Sequence, residues 1–385
     1  MFEHFLSDTD RAIIHKAKDF AAGSISEQAV SRWYQDGGIP DSVMLSYQNS
    51  GLGSLGLPPR YGGSDVSVLA QVQIVEELSR SAGATLPLQS QLYSLNIISL
   101  FDDPPQLAMI SDQLKATGRA CFSLATAQAP ADSDLPNGPA VVSERDGRLI
   151  LSGQKSFVSD GQHAPYILVA AQNQDEHDEQ GRAVLSAWLV PLHSEGVQTF
   201  AINKLGQKMI SSAVVVFNDV ALKASWQVGA GDTIRPALER AGDLEHCLIC
   251  ANSLGMAEAA YDDAAQRVAA RTAHNHQSAD FQQTAMKLAD MATRIFHIKA
   301  HVYQSAAALQ SKKASPLEIA LMRRYVPEAA VRVADDAMQI FDAAGYTDQV
   351  RASRIWLDCR GNRSAADSEQ SMTALAAREV IGRYR

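Results

Sequence analysis

The spacing of apolar residues changes twice along this chain, and those changes limit what it can fold into. From residue 1 to about 115 the spacing is helical. Ser7 is placed to cap a first helix whose Ile13, Ile14, Ala17 and Phe20 share one face, and Leu69, Val72, Val75 and Leu78 line a second helix over about 66–81. A turn-rich stretch from Gly51 to Gly63 separates them. From about 117 to 227 the period drops to two, with candidate strands at 119–126, 139–144, 148–152, 165–171, 185–191 and 213–218, and Asp146-Gly147 supplies a tight hairpin turn. From about 233 onward, Ala-rich helical stretches return at roughly 236–272, 280–312, 316–343 and 368–382. The first would extend ~50 Å at about 1.5 Å per residue. Helices of that length joined by short loops predict an antiparallel bundle. The expected fold is α+β and multidomain: an N-terminal α-helical domain over 1–116, an antiparallel β-barrel or sandwich over 117–228, and a long four-helix bundle over 229–385.

With 385 residues and 46% hydrophobic content, the chain can build two or three sizeable cores. Its net charge of −9, without a long Lys/Arg run, argues against nucleic acid or an anionic membrane as the main partner. No run of about 18 apolar residues offers a membrane span. The first twenty residues carry Glu3, Asp8, Asp10 and Arg11 and lack the basic-then-apolar order of a signal peptide. Cys247 and Cys250 have zinc or redox spacing, but no second pair accompanies them. Three apart on a helix, they read as one buried face, and a reducing, cytoplasmic location fits.

The segment Leu151-Ser-Gly-Gln-Lys-Ser-Phe157-Val-Ser159-Asp-Gly161 places an aromatic and a small hydroxyl two residues apart on a strand, before an Asp-Gly turn. Residues two apart face the same side. Phe157 and Ser159 can therefore meet one flat ligand, the ring stacking and the hydroxyl hydrogen-bonding. An aromatic at a strand end is more often core, so the flanking segments must decide.

Those segments resemble the acyl-CoA dehydrogenase family over nearly the whole chain. Gly56-Leu-Pro-Pro-Arg-Tyr-Gly-Gly63 followed by Val75-Glu-Glu-Leu78 is similar to its N-terminal signature. Leu151–Gly161 resembles its flavin-facing strand, and Leu205-Gly-Gln-Lys-Met209 through Val220 the end of its β domain. Arg271 through Gln282 and Lys287–Met291 resemble the first bundle hairpin. Gln339-Ile340 through Gly345-Tyr346, Arg354 through Asp358, and Ala377-Arg-Glu-Val380 resemble the later helices. The resemblance implies the acyl-CoA dehydrogenase fold and FAD bound between β domain and bundle. It implies that Phe157 lies against the isoalloxazine, that Ser159 bonds its edge, and that Phe122 and Leu124 line the same pocket. Ser133 would approach a flavin or CoA phosphate. Arg271 would meet the FAD pyrophosphate of a partner subunit, with His274, Gln282, Gln339 and the backbone at Ala343 around the same half; a guanidinium suits a diphosphate. The implied assembly is a tetramer, homomeric or with a related subunit, and the implied electron acceptor is an electron-transferring flavoprotein in lipid metabolism.

The chain also departs from the family pattern. The β-domain motif, usually Leu-Thr-Glu-Pro-x-x-Gly-Ser-Asp, reads Leu124-Ala-Thr-Ala-Gln-Ala-Pro-Ala-Asp132-Ser133-Asp134. The usual Gly-Gly after the third helix is Asp342-Ala343, and the Phe and Gly after Arg271 are His274 and Asn275. Glycines there let backbone approach a phosphate closely, and an Asp adds negative charge. The position that usually holds the catalytic Glu is Ala366. Asp367 is adjacent but turned away, and Asp367 or Ser368 reads as the cap of the last helix. A family subset, including isovaleryl-CoA and long-chain acyl-CoA dehydrogenases, carries the Glu on the first bundle helix in an Asp-Leu-Glu-Arg pattern. Here Asp243-Leu-Glu245-His246 matches it. Glu245 is thus the candidate base for removing the Cα proton of an acyl thioester. The alternative is a first-turn Glu that only favours the helix dipole. The same resemblance implies that the backbone N–H of Ala366 donates to the thioester oxygen and makes Asp243 and His246 candidate ligand contacts, although His246 reads equally as a satisfied interface residue.

Three functions remain open at this point. One is an active FAD-dependent enzyme that forms an α,β-double bond in an acyl-CoA or related acyl thioester. Another is a weakly active or inactive half of a heteromeric dehydrogenase, contributing to its partner's flavin site. A third is an acyl-thioester binding protein or a monooxygenase-like relative.

Overall fold

The computed structural model describes residues 3–101, 104–120, 122–125, 139–270, 272–273, 276–277, 282–366 and 369–384. Six helices come first: α1 (Asp8–Ser24), α2 (Glu27–Asp36), α3 (Asp41–Asn49), α4 (Val68–Ala82), α5 (Pro87–Ile98) and α6 (Gln106–Thr117). The predicted cap at Ser7 is present as a full capping box: its hydroxyl accepts from the Asp10 N–H, and the Asp10 carboxylate accepts from the Ser7 N–H. Asp10 also accepts from the N–H of Ser67, the cap of α4, at 2.9 Å, so one buried carboxylate starts two helices.

Eight strands follow: β1 (Phe122–Ala125), β2 (Val141–Arg145), β3 (Arg148–Ser159), β4 (Tyr166–His177), β5 (Ala183–Pro191), β6 (Val197–Ala201), β7 (Ser212–Ala221) and β8 (Gln227–Ala230). They form one sheet in the order β6-β7-β3-β2-β4-β5-β8, with β1 added on β4. Most pairings are antiparallel; β1·β4 and β2·β4 are parallel. Asp146 and Gly147 both have positive φ, the two-residue turn that lets Arg145 pair with Arg148. Alternation along the strands separates two cores. Ile167, Val169, Trp188 and Val190 join Leu151, Val215 and Phe217 in a core formed by the sheet alone. Leu168, Leu185, Ala187 and Leu189 face the other way, against α5, α6 and Ala237 and Ala241 of the next helix. The sequence did not reveal β6 and β8. β6 is a short edge strand with no fully buried residue, and its Phe200 is exposed.

The C-terminal helices are α7 (Ile234–Ala270), α8 (Gln282–Gln310), α9 (Pro316–Ile340), α10 (Ala352–Asn362) and α11 (Glu369–Gly382). From Cys247 to Ala260, α7 is buried at every position, against α4 on one side and α9 on another. Gly255 makes the α4 crossing possible, since a Cβ there would sit 2.2 Å from the Glu76 carbonyl oxygen. The expected long helices are present; α10 is an additional short one. Its buried face mixes Arg354, Asp358 and Asn362 with Ile355 and Cys359, which hides the amphipathic pattern. No helix of the described residues is long and apolar enough to cross a membrane.

Candidate functional site

Phe157 is the most unusual residue of the β domain. β3 and β7 slip register between Lys155 and Val158, a bulge that places two residues of β3 opposite one of β7. Within it Phe157 has φ +56, a left-handed conformation that costs a non-glycine residue about 1 kcal/mol or more. The ring is 68% exposed, Val158 turns into the core, and Ser159 is half-buried on the outward side. Backbone strain therefore presents an apolar ring to the outside instead of burying it, a pattern associated with binding. The following turn is fixed. The Asp160 N–H donates to the Ser211 carbonyl and the Ser211 hydroxyl donates to the Asp160 carboxylate, both at 3.0 Å. Two residues before the ring, burial pulls the Lys155 amine down to about 8.

Glu245 is half-buried on α7, eleven residues beyond Ile234. A helix-dipole role in the first turn is therefore ruled out by position. Glu245, Ile249 and Asn252 fall on one stripe (i, i+4, i+7). Asn252 accepts from Asn362 Nδ2 at 2.7 Å, and Ser253 accepts from the same group at 2.9 Å. The end of α10 is thus docked on the Glu245 stripe, about 10 Å along the helix axis from Glu245. Four residues later comes Ala366, with φ +56. His246 lies about 100° and Asp243 about 160° around the helix from Glu245, toward its other face. His246 is 5% exposed there, and burial raises the Asp243 carboxyl despite His246 nearby, with Glu239 adding to the rise. Cys247 and Cys250 follow on that face and are buried, as expected. Burial pushes the Cys250 thiol up to about 12, and no metal-binding cluster exists among the described residues. Phe122 is buried and Leu124 half-buried in the core that includes Ala237 and Ala241, one to two turns before Glu245.

A second group of expected site residues lies elsewhere. Gln339 at the end of α9 and Asp342 and Ala343 in the following turn are all exposed, with Asp342 at φ +55. Lys287 Nζ meets Asp336 at 2.7 Å, which brings the start of α8, with exposed Gln282, to the same end of the bundle. The Arg267 guanidinium lies 5.6 Å from the Phe341 ring, so the end of α7 is there too. Arg267 and Glu245 are 22 residues apart on one helix, ~33 Å at about 1.5 Å per residue. One chain therefore brings Phe122, Leu124 and Glu245 to one end of α7 and Gln282, Gln339 and Ala343 to the other. Ser133, Arg271, His274, Asn275, Asp367 and Ser368 lie outside the described residues.

A polar network missed in the sequence joins the sheet to the bundle. Asp358 is fully buried and accepts from the Tyr34 hydroxyl at 2.7 Å, the Thr85 N–H at 2.8 Å and the Gln207 N–H at 2.5 Å. Gln207 Nε2 donates to Asn362 Oδ1 at 2.8 Å. Lys204, in the same loop, is electrostatically coupled to both Asp358 and Asp160, although burial sets the direction of its shift, downward. The strand end carrying Ser159 and the α10 end preceding Ala366 are thereby connected. The available signal was a set of charged and amide residues at positions that helical periodicity assigns to the interior.

The residues present fit a flavin. An outward ring over a rigid turn suits a flat heterocycle, and a half-buried hydroxyl beside it suits a ring-edge heteroatom.

Comparison with known proteins identifies the family. The N-terminal, middle and C-terminal domain models of acyl-CoA dehydrogenase match residues 7–106, 121–220 and 238–381. A probable acyl-CoA dehydrogenase, YdiO of Escherichia coli K12, is 26% identical over 380 residues, covering 99% of this chain and 98% of the relative. The crystal structure of an acyl-CoA dehydrogenase from Slackia heliotrinireducens is 31% identical with a TM-score of 0.86, over 100% of this chain and 99% of that one. Butyryl-CoA dehydrogenase from Megasphaera elsdenii shares the fold at a TM-score of 0.84 and 22% identity, over 98% and 99% of the two chains. The chain belongs to the acyl-CoA dehydrogenase family, flavin-dependent oxidoreductases that act on acyl-CoA thioesters.

Proposed function

We propose that this chain removes the Cα proton of an acyl-CoA thioester through Glu245 while a hydride leaves Cβ, forming the α,β-double bond. When bound, FAD supplies the acceptor for that hydride. Phe157 would hold the ring system by stacking and Ser159 by a hydrogen bond at its edge. The Glu245 carboxylate takes the proton, and the Ala366 N–H donates to the thioester oxygen as negative charge develops there; one such donor is worth roughly 3–4 kcal/mol in the transition state. The observation that carries the reading is the docking of the α10 end, four residues before Ala366, on the α7 stripe that contains Glu245. Base and backbone donor thus belong to one neighbourhood although 121 residues separate them.

The ~33 Å between the two groups of site residues supports a flavin shared between subunits. In that arrangement Gln282, Gln339 and Ala343 serve the adenosine-diphosphate half of the partner's cofactor. Homotetramer and heterotetramer both satisfy it, and an electron-transferring flavoprotein is the proposed acceptor. Asp342 favours a second reading. Its carboxylate stands on the exposed turn beside Ala343, where a diphosphate is expected, and weakens the site this chain completes for its partner. A colourless chain that turns yellow only with a related subunit would support that heteromeric role.

The test is Glu245→Gln. The variant is expected to retain FAD and bind acyl-CoA, while flavin bleaching by acyl-CoA falls at least 10³-fold, a loss in keeping with removal of a general base. Bleaching at the wild-type rate refutes the assignment.

A further inference from the structure

Arg323 lies in the Ala-rich interior of the bundle, on α9, and is 3% exposed. Its Nη2 donates to two carbonyl oxygens: Asn362 at 2.7 Å and Ala365 at 2.5 Å. Arg323 therefore binds both ends of the short segment that joins α10 to Ala366. The second bond has a consequence for the next residue. The Ala365–Ala366 peptide is trans, as are all peptide bonds of the described residues. In a planar trans peptide the N–H points opposite to the C=O. Fixing the Ala365 carbonyl thus fixes the direction of the Ala366 N–H. Ala366 itself stands at φ +56, a conformation that alanine avoids by about 1 kcal/mol or more.

The bond also acts through charge. A guanidinium drawing on a carbonyl oxygen polarises the whole amide, and the attached N–H becomes a stronger donor. Among the described residues no hydrogen bond from the Ala366 N–H is formed. Asn362 fixes this assembly to α7 through Asn252 and Ser253, and to the β domain through Gln207. The segment is thus anchored to the helix that bears Glu245 and to the loop that runs back to Ser211 and Asp160.

We propose that Arg323 is a positioning residue that aims and polarises the Ala366 N–H toward the thioester oxygen. The inference rests on the reading that this N–H serves the thioester. Arg323 itself touches neither substrate nor cofactor. Its effect should appear as a change in carbonyl polarisation that a purely structural role would leave alone.

The experiment uses the flavin-loaded protein and a panel of 2-enoyl-CoA thioesters, the tightest binder being taken forward with a ¹³C-labelled carbonyl. Difference infrared or Raman spectra report the carbonyl stretch in the bound state. In the wild type the stretch is expected to move to lower frequency on binding. In Arg323→Met most of that displacement should disappear and kcat should fall about 10- to 100-fold, with flavin content retained and KM changed less than kcat. Arg323→Lys, which keeps the charge but lacks the planar fork, should lie between the two and serves if the Met variant does not fold. A wild-type carbonyl frequency in both variants overturns the role of Arg323 while leaving the base and donor reading intact. Absence of the displacement in the wild type overturns that reading, and this inference with it.

Discussion

Asp358 offers the most direct test of how the three parts of this chain are held together. Its carboxylate gathers a phenol from α2, a backbone N–H just before α5 and a backbone N–H from the loop before β7. Asp358→Ala leaves those three buried donors without their acceptor. An unsatisfied buried donor costs about 1–3 kcal/mol, so three give roughly 3–6 kcal/mol after local relaxation. Asp358→Asn keeps the volume and one carbonyl oxygen. That oxygen can still accept from Tyr34 and Gln207, but its amide then faces the Thr85 N–H, donor against donor, for a loss of about 2 kcal/mol. Urea unfolding, followed by tryptophan fluorescence and by far-UV circular dichroism, measures both variants. The order wild type, Asn, Ala is expected, with a separation of at least 1 kcal/mol at each step. The two probes should diverge in the Ala variant as the sheet and helices lose their common transition. An Ala variant within 1 kcal/mol of wild type refutes the reasoning, because the donors would then have found other acceptors.

Burial and the neighbouring Glu76 raise the Glu258 carboxyl to about 7, against the ion pairs with Lys299 at 3.1 Å and Arg80 at 3.8 Å. Its contribution is fully present below the ordinary value of 4.5 and is lost as pH rises through 7. Glu258→Gln should therefore be more stable than wild type at pH 8, by about 1–3 kcal/mol, and equal or weaker near pH 4.5, as read from thermal midpoints. Equal midpoints at pH 8 would count against it. Phe157→Gly should change the stability of the flavin-free protein by less than about 1 kcal/mol, because relief of the left-handed strain offsets the added entropy of the unfolded chain. Flavin retention, measured by equilibrium dialysis, should fall about tenfold as the stacking surface disappears; unchanged retention would place the ring outside the cofactor site.

The long elements were legible because packing did not contradict their local periodicity. Ser7, the α7–α9 spans and the Asp146-Gly147 turn follow directly from capping, helical spacing and turn chemistry. The bulge that turns Phe157 outward was not legible, since nothing in Lys155-Ser-Phe-Val signals a left-handed residue. Glu245 and Ala366 were paired by resemblance. The neighbourhood proposed for them would rest on contacts from Asn362 to Asn252 across 110 residues, which no local pattern encodes. α10 and the Asp358 network were hidden for a related reason. Their buried faces are polar, and periodicity analysis treats polar residues as solvent-facing. His246 reads in the sequence either as a ligand contact or as a satisfied interface residue, and its 5% exposure on α7 favours the second.

The length of α7 has a genetic consequence. A defect near Glu245 and a defect near Gln339 disable opposite ends of the same polypeptide. If each cofactor spans two chains, co-expressing two such crippled versions would regenerate some sound sites, since a mixed pair combines one intact Glu245 end with one intact Gln339 end. Recovery of turnover from two individually dead alleles would reveal the shared architecture without any structure of the assembly, and failure to complement would assign each flavin to a single chain.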